Sequence, residues 1–166
     1  MEAAINWLQA RDNRHIVPLS SPHYPELLKQ LDSPPLALFA TGNKALFQKP
    51  QIAIVGSRRA SLQGKRTATD IAYGLSSSGV VVTSGLAMGI DSAAHQGALS
   101  GSTGTIAVMG TGPGKVYPAK NSKLYEAINN DGGVTVTEFF PGQGPKPWHF
   151  PRRNRIIAAL SLGTLV

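Results

Sequence analysis

The chain has 166 residues, 42% of them apolar, and carries 16 Lys+Arg against 9 Asp+Glu, giving a net charge of +7 and a pI near 10.0. Such a length and apolar content suit one ordinary globular domain and exclude a disordered or fibrous chain. The basic balance favours nucleic acid or another polyanion as partner, and the absence of cysteine excludes disulfides and thiolate metal sites. The N-terminal stretch MEAAINWLQARDNR lacks the basic start and apolar run of a signal peptide, and no segment approaches roughly 18 consecutive apolar residues. A soluble, cytoplasmic chain with no membrane association is therefore expected.

Residues 1–50 differ in texture from the rest. A short amphipathic helix over Ala3–Ala10 leads into a Pro-dense stretch that holds ELLKQL as a short helix and LALFATG as a strand. This segment reads as a small, nearly neutral lead-in subdomain. From Gln51 the rhythm changes. The runs IAIVGS (52–57), GVVVTSG (79–85), GTIAVMG (104–110) and GVTVTEF (133–139) are almost continuously apolar, as buried parallel strands are. Helical patterns fall between them, over Leu62–Ser77, Asp91–Leu99 and Ser122–Asn129. In the first, Ala68, Ile71, Ala72 and Leu75 follow the i, i+3, i+4, i+7 spacing. This alternation predicts an α/β fold: a Rossmann-like, doubly wound, mainly parallel sheet over 51–166. The last residues, SLGTLV, read as a helix end and the start of a fifth strand. More sheet, and further domains, are expected beyond them.

The stretch HFPRRNRIIAAL, residues 149–160, poses a problem of its own. Pro151 suits a first helical turn and Ile156, Ile157 and Leu160 supply an apolar stripe, so a helix starts there. Cations at a helix N-terminus are unfavourable by up to about 1 kcal/mol each. Arg152, Arg153 and Arg155 stand there nonetheless. Either they pair with carboxylates elsewhere or they await an anion, and the sequence leaves both readings open.

Ligands of a doubly wound sheet bind outside the carboxyl ends of its strands, so the loops after the strands matter most. The first, VGSRRAS, offers Gly56 for close backbone approach, the Ser57 hydroxyl, and Arg58 and Arg59 to fork onto phosphate oxygens. The second begins with Ser84 and Gly85 and turns into a helix N-terminus, a ready anion site. The third places Lys115 and Lys120 among glycines, and the fourth interleaves Lys146, Trp148 and Phe150 with the arginines. Trp148 and Phe150 are either packed under their loop or free to stack on unpaired bases.

Other residues have plainer explanations. Asp91 is expected to cap its helix and His95 to be a hydrogen-bonded core histidine. A hydrolytic triad of Ser84, Asp91 and His95 is rejected, since nothing resembles the nucleophile elbow G-x-S-x-G. The remaining histidines show no metal-ligand spacing, and G-x-G-x-x-G is missing after the first strand, so no metal, NAD or FAD site is expected. No catalytic residue and no cofactor are assigned.

Taken together, IAIVGSRRAS, GVVVTSGLAMGIDSAAHQGAL, GTIAVMGTG with VYPAKNSKLYEAI, and FPRRNRIIAALS resemble the Rossmann-like domain of the DprA/Smf family of bacterial DNA-processing proteins. The resemblance covers Gln51 to Ser161 in order, and SPHYPELLKQLDSPPLALFATGN resembles the family's lead-in. It implies a protein that binds single-stranded DNA, protects incoming DNA during natural transformation and helps load a RecA-type recombinase. It also implies a homodimer in the full-length protein. Carried over by position, the strand-holding residues are Gly56, Ser57, Arg58, Arg59, Phe150, Arg152, Arg153, Asn154 and Arg155. Ser84, Gly85 and Lys146 join them as rim residues. The competing reading is a nucleotide-processing enzyme of the Rossmann-like lysine-decarboxylase-like type, a nucleoside monophosphate phosphoribohydrolase. That group carries a Pro-Gly-Gly-x-Gly-Thr segment, and this chain has PGQGP at 141–145 instead. A purely structural or partner-binding domain with an incidental basic rim is the third.

Overall fold

In chain order the elements are α1 (Glu2–Gln9), β1 (Arg14–Pro18), β2 (Ala37–Gly42), β3 (Gln51–Ile54), α2 (Leu62–Ser77), β4 (Val81–Ser84), α3 (Ile90–Leu99), β5 (Thr105–Val108), α4 (Ser122–Asn130), β6 (Val134–Thr137), α5 (His149–Leu160) and β7 (Gly163–Leu165). Short 3-10 turns occupy Leu27–Gln30, Lys44–Gln48 and Ala119–Asn121. The computed structural model describes residues 2–166. Local chemistry sets several of the boundaries. The Ser61 hydroxyl accepts the Gly64 amide at 3.0 Å and so starts α2. Gly79, at φ 86°, ends that helix by turning the chain so that the Val80 amide reaches the Leu75 carbonyl at 3.0 Å.

All strands join one seven-stranded sheet in the order β1-β2-β6-β5-β4-β3-β7. From β6 to β7 the neighbours run parallel, while β1 pairs antiparallel with β2 and β2 antiparallel with β6. The α/β, Rossmann-like, mainly parallel architecture read from the sequence is thus the one observed. Residues 1–50 extend that same sheet through β1 and β2, so the lead-in shares its hydrogen bonding with the later strands. Strand β1, RHIVP, was invisible to the pattern because it alternates poorly and ends in a proline. An edge strand tolerates both.

Alternation along the strands divides the core between the two faces. Ala53, Val81, Ile106, Val108, Val134 and Val136 pack with Ile156, Ile157 and Leu160 of α5 and with Tyr24, Leu28, Leu38 and Leu46 of the lead-in. Ile54 and Val82 pack with Ala68 and Ala72 of α2 and Ala93, Ala94 and Ala98 of α3. Tyr125 and Ile128 of α4 meet Ala107 and Met109. The small residues let α2 and α3 come together until a Cβ on Gly97 would stand 2.2 Å from the Thr69 carbonyl oxygen. Backbone cannot yield as a side-chain tip can. Gly97→Ala is expected to cost about 1–3 kcal/mol, seen as a lower urea midpoint at unchanged denaturant slope.

This topology positions the site. The chain steps outward from β3 through β4 and β5 to β6, then α5 carries it back to lay β7 on the opposite side of β3. The strand order reverses between β3 and β7, and the crevice beyond their carboxyl ends is where such sheets hold ligands. Among the described residues no helix is long and apolar enough to cross a membrane, and no cluster of His, Asp and Glu is placed to hold a metal ion.

Candidate functional site

A cleft of about 330 Å³ opens at this switch point. Val55, Gly56 and Arg58 contribute from the loop after β3, Ala87 and Asp91 from the loop after β4 and the start of α3, and Thr164 from β7. The remaining wall is one side of α5, through Phe150, Arg153, Asn154, Ile157 and Ala158. A smaller recess of about 130 Å³ continues from it, sharing Arg58, Ala87, Phe150 and Arg153 and adding Met88, Tyr117 and Pro118. The Phe150 and Tyr117 rings lie against each other with centroids 5.3 Å apart. Tyr117 is half exposed and Arg58 is exposed. The trough therefore combines a free guanidinium, two aromatic surfaces and aliphatic walls.

The floor of the trough is rigid for reasons that lie in α3. Contrary to the expectation from sequence, Asp91 does not cap its own helix; Gly89 occupies that position. The Asp91 carboxylate points back to the preceding loop, where Oδ2 accepts the Gly85 amide at 3.0 Å and the Ala87 amide at 3.4 Å. One turn later His95 is wholly buried, and its Nε2 accepts the Leu86 amide at 3.3 Å. Nε2 is thus unprotonated, so Nδ1 carries the hydrogen and donates to the Thr105 hydroxyl at 2.8 Å. That hydroxyl donates to the Val82 carbonyl at 2.6 Å. Leu86 sits at φ 58°, a left-handed conformation costing a branched residue about 1–3 kcal/mol. The Asp91 and His95 acceptors hold its neighbourhood in that shape, and Asn121 Nδ2 donates to the Leu86 carbonyl at 2.8 Å.

Arg153 closes the floor from the α5 side. It is 5% exposed, and Nη1 donates to the Gly85 and Val108 carbonyls at 2.6 Å each. Burial pushes its pKa down to about 10, with Asp91 acting to raise it and the nearby Arg58 to lower it. Burial likewise raises the Asp91 carboxyl above its usual range, against the pull of Arg153 and of the Ala87 and Gly85 amides. The two opposite charges compensate each other across the Gly85 peptide. Arg58 then meets a like charge, which makes the mouth electropositive.

The helix-start puzzle is largely settled by Glu138. Its side chain is 6% exposed; Arg152 donates Nε and Nη2 to its two oxygens at 3.2 and 3.3 Å, and Arg155 donates Nη2 at 2.7 Å. A carboxylate just beyond β6 therefore meets two of the three arginines, and backbone carbonyls meet the third. His149, fully buried, donates Nδ1–H to the Gly110 carbonyl at 3.0 Å and stacks on Phe139 with centroids 3.9 Å apart. These contacts fix where α5 begins and hence where Phe150 stands.

The structure brings Gly56, Arg58, Gly85, Phe150, Arg153 and Asn154 of the expected residues around the trough. Ser57 and Arg59 are exposed in the loop that carries Arg58 but do not line the trough; Ser57 Oγ accepts the Arg59 amide at 3.1 Å, and Ser57 faces a separate depression beside α2. Ser84 is buried and donates to the Ile54 carbonyl at 2.6 Å, so its hydroxyl faces the sheet. Lys146 stands apart, with Nζ 5.8 Å from the centroid of the exposed Trp148 ring. Sequence reasoning missed Met88 and Tyr117. Their only signal was position, just after β4 and in the loop after β5.

Fold and site together define a class: a doubly wound domain whose switch-point crevice is basic, aromatic-walled and free of a dinucleotide fingerprint. The sequence model of the DNA recombination-mediator protein A family matches residues 15–166, and the chain belongs to that family. DNA processing protein DprA of Streptococcus pneumoniae is 44% identical over 143 residues, covering 86% of this chain and 50% of that protein. Protein Smf of Escherichia coli is 39% identical over 166 residues, covering 100% of this chain and 44% of that protein. The chain thus spans about half the length of these curated relatives. Among solved structures, DprA from S. pneumoniae superposes with a TM-score of 0.87 at 39% identity, covering 99% of this chain and 56% of that one. DNA processing protein A from Helicobacter pylori, described for its single-stranded DNA binding mode, gives 0.82 at 29% identity, covering 90% and 67%.

Proposed function

We propose that this chain is a single-stranded-DNA-binding domain that works in the cytoplasm as a binding module without catalysis. In the full-length protein it would protect incoming DNA and load a RecA-type recombinase during transformation and recombination, acting as a homodimer. The observation that carries the binding step is the trough itself. Arg58 stands free at its mouth, beside the Phe150 and Tyr117 rings, in a family whose H. pylori member is described as binding single strands. Stacked bases and neutralised phosphates need just these groups. In this reading the binding surface lies within residues 51–166, and residues 1–50 support the sheet. Arg58 is the leading phosphate contact. Gly56 and Asn154 border the same path, and Ser57 and Arg59 flank it in the loop that carries Arg58. Lys146 would meet the strand only beyond the trough, beside Trp148, and Arg152 and Arg155 reach it only by leaving Glu138. Arg153, Ser84 and Gly85 act from beneath it.

A titration of single strands, duplex of equal length and mononucleotides tests the reading. Single strands should bind tightest, because a duplex hides the base faces that the rings would use. The slope of log affinity against log salt is near −0.7 per phosphate neutralised on a single strand, and Arg58→Ala should flatten it by about that amount. Phe150→Ala should weaken binding by about 1–3 kcal/mol at unchanged slope. Duplex binding as tight as single-strand binding, or an unchanged slope in folded Arg58→Ala, would refute the trough as the binding site. For the later step, the full-length protein should speed recombinase assembly on single strands, and its Arg58→Ala variant should not.

A further inference from the structure

We infer that the strand path does not end at the trough but continues past Met88 into a second groove between α2 and α3, where Lys65 and Arg66 take the phosphates of flanking nucleotides. This rests on the reading of the trough as a single-strand site. The groove encloses about 360 Å³ and is bordered by Lys65, Arg66, Asp70, Met88 and Gln96. Met88 lines both this groove and the recess beside Phe150 and Tyr117, so the two depressions are neighbours that meet at this residue. The residue is 40% exposed, an apolar, adaptable surface at the junction where a base would cross.

The charges follow the same line. Arg58 and Arg59 sit in the loop that enters α2, and Lys65 and Arg66 follow in its first turns, all four exposed. Among the described residues none of the four forms an ion pair, although Asp70 stands one turn beyond Arg66. The first turn of α2 carries no acidic residue. Contrast the start of α5, where Arg152 and Arg155 find Glu138. Unpaired cations near a helix start oppose the macrodipole and gain nothing locally. A polyanion lying along the groove supplies what the fold withholds.

The test uses oligothymidylates of about 4 and about 16 nucleotides, bracketing the site sizes of single-strand binders. The parent chain is compared with a Lys65→Ala/Arg66→Ala double variant. For the longer strand the variant's salt slope should flatten by about 0.7 for each phosphate that is no longer neutralised; for the shorter, which fills only the trough, it should not change. Lys49→Ala, an exposed cation outside both depressions, should leave both slopes alone. An unchanged slope for the longer strand, equal flattening with both strands, or the same flattening in Lys49→Ala would each overturn the extended path while leaving the trough reading intact. Failure of the parent to bind either strand would overturn both. Thermal melting of the double variant, expected at the parent's temperature because neither side chain makes a hydrogen bond, removes misfolding as an explanation.

Discussion

Replacing Arg153 by Ala should cost about 3–5 kcal/mol of folding stability, more than the loss of any other arginine in the chain. The position invites a different expectation from sequence, since it lies inside FPRRNR and would be grouped with its neighbours as a strand contact. Its burial decides otherwise. Truncation leaves the Gly85 and Val108 carbonyls without their donor and leaves Asp91 as a buried carboxylate without a compensating charge. Asp91 would then hold its proton more tightly than in the parent. A carboxyl whose folded pKa is raised favours the folded state at low pH and loses that advantage as pH rises through the folded value. The deficit of Arg153→Ala should therefore be greatest near neutrality and shrink on acidification, in urea titrations of variant and parent. Arg152→Ala, half exposed on Glu138, should cost under about 1 kcal/mol in the same assay. Equal losses for the two would mean that the buried network contributes no more than a surface pair.

The parallel strands and their crossover helices were legible because each buried strand reads as a short apolar run and each helix as a 3.6-residue stripe. Even the three residues of β7 could be anticipated. The two antiparallel strands at the other end were only half legible. LALFATG carries a strand's composition, but nothing local says that it pairs with VTVT some ninety residues later in sequence. The site was legible as a rim and illegible in its pairings. That Arg58 remains free while Arg152 and Arg155 meet Glu138 depends on where β6 ends relative to α5, a tertiary fact with no periodic signature. Asp91 shows the same limit. An acid at a helix start reads as a cap for that helix, yet the turn of the chain before it aims the carboxylate at the Gly85 and Ala87 amides.

His95 should dominate the acid limb of stability. Burial lowers its pKa from 6.5 to about 3, with Arg153 adding to the effect. In the unfolded chain the same imidazole takes up a proton near its ordinary value. Between those two values the unfolded state binds one more proton than the folded state, so stability rises with pH across that window. Stability is complete above about pH 6.5 and falls by about 1.4 kcal/mol per unit as the pH drops below it. His15, lowered by burial and by Lys44, contributes in the same direction, and Asp91 opposes it once carboxyl groups begin to protonate. Parent and variant are therefore compared at each pH, so that the His15 and Asp91 contributions cancel. His95→Gln isolates the effect, because an amide can accept the Leu86 amide and donate to Thr105 Oγ1 but cannot titrate. Urea midpoints at several pH values should give a variant less stable at neutrality yet shallower in its acid slope by about 1.4 kcal/mol per unit. Parallel slopes in parent and variant would show that folded His95 accepts a proton in this range. The Leu86 amide would then lose its acceptor, and the rigid floor beneath Arg58 and Phe150 could not rest on a neutral imidazole.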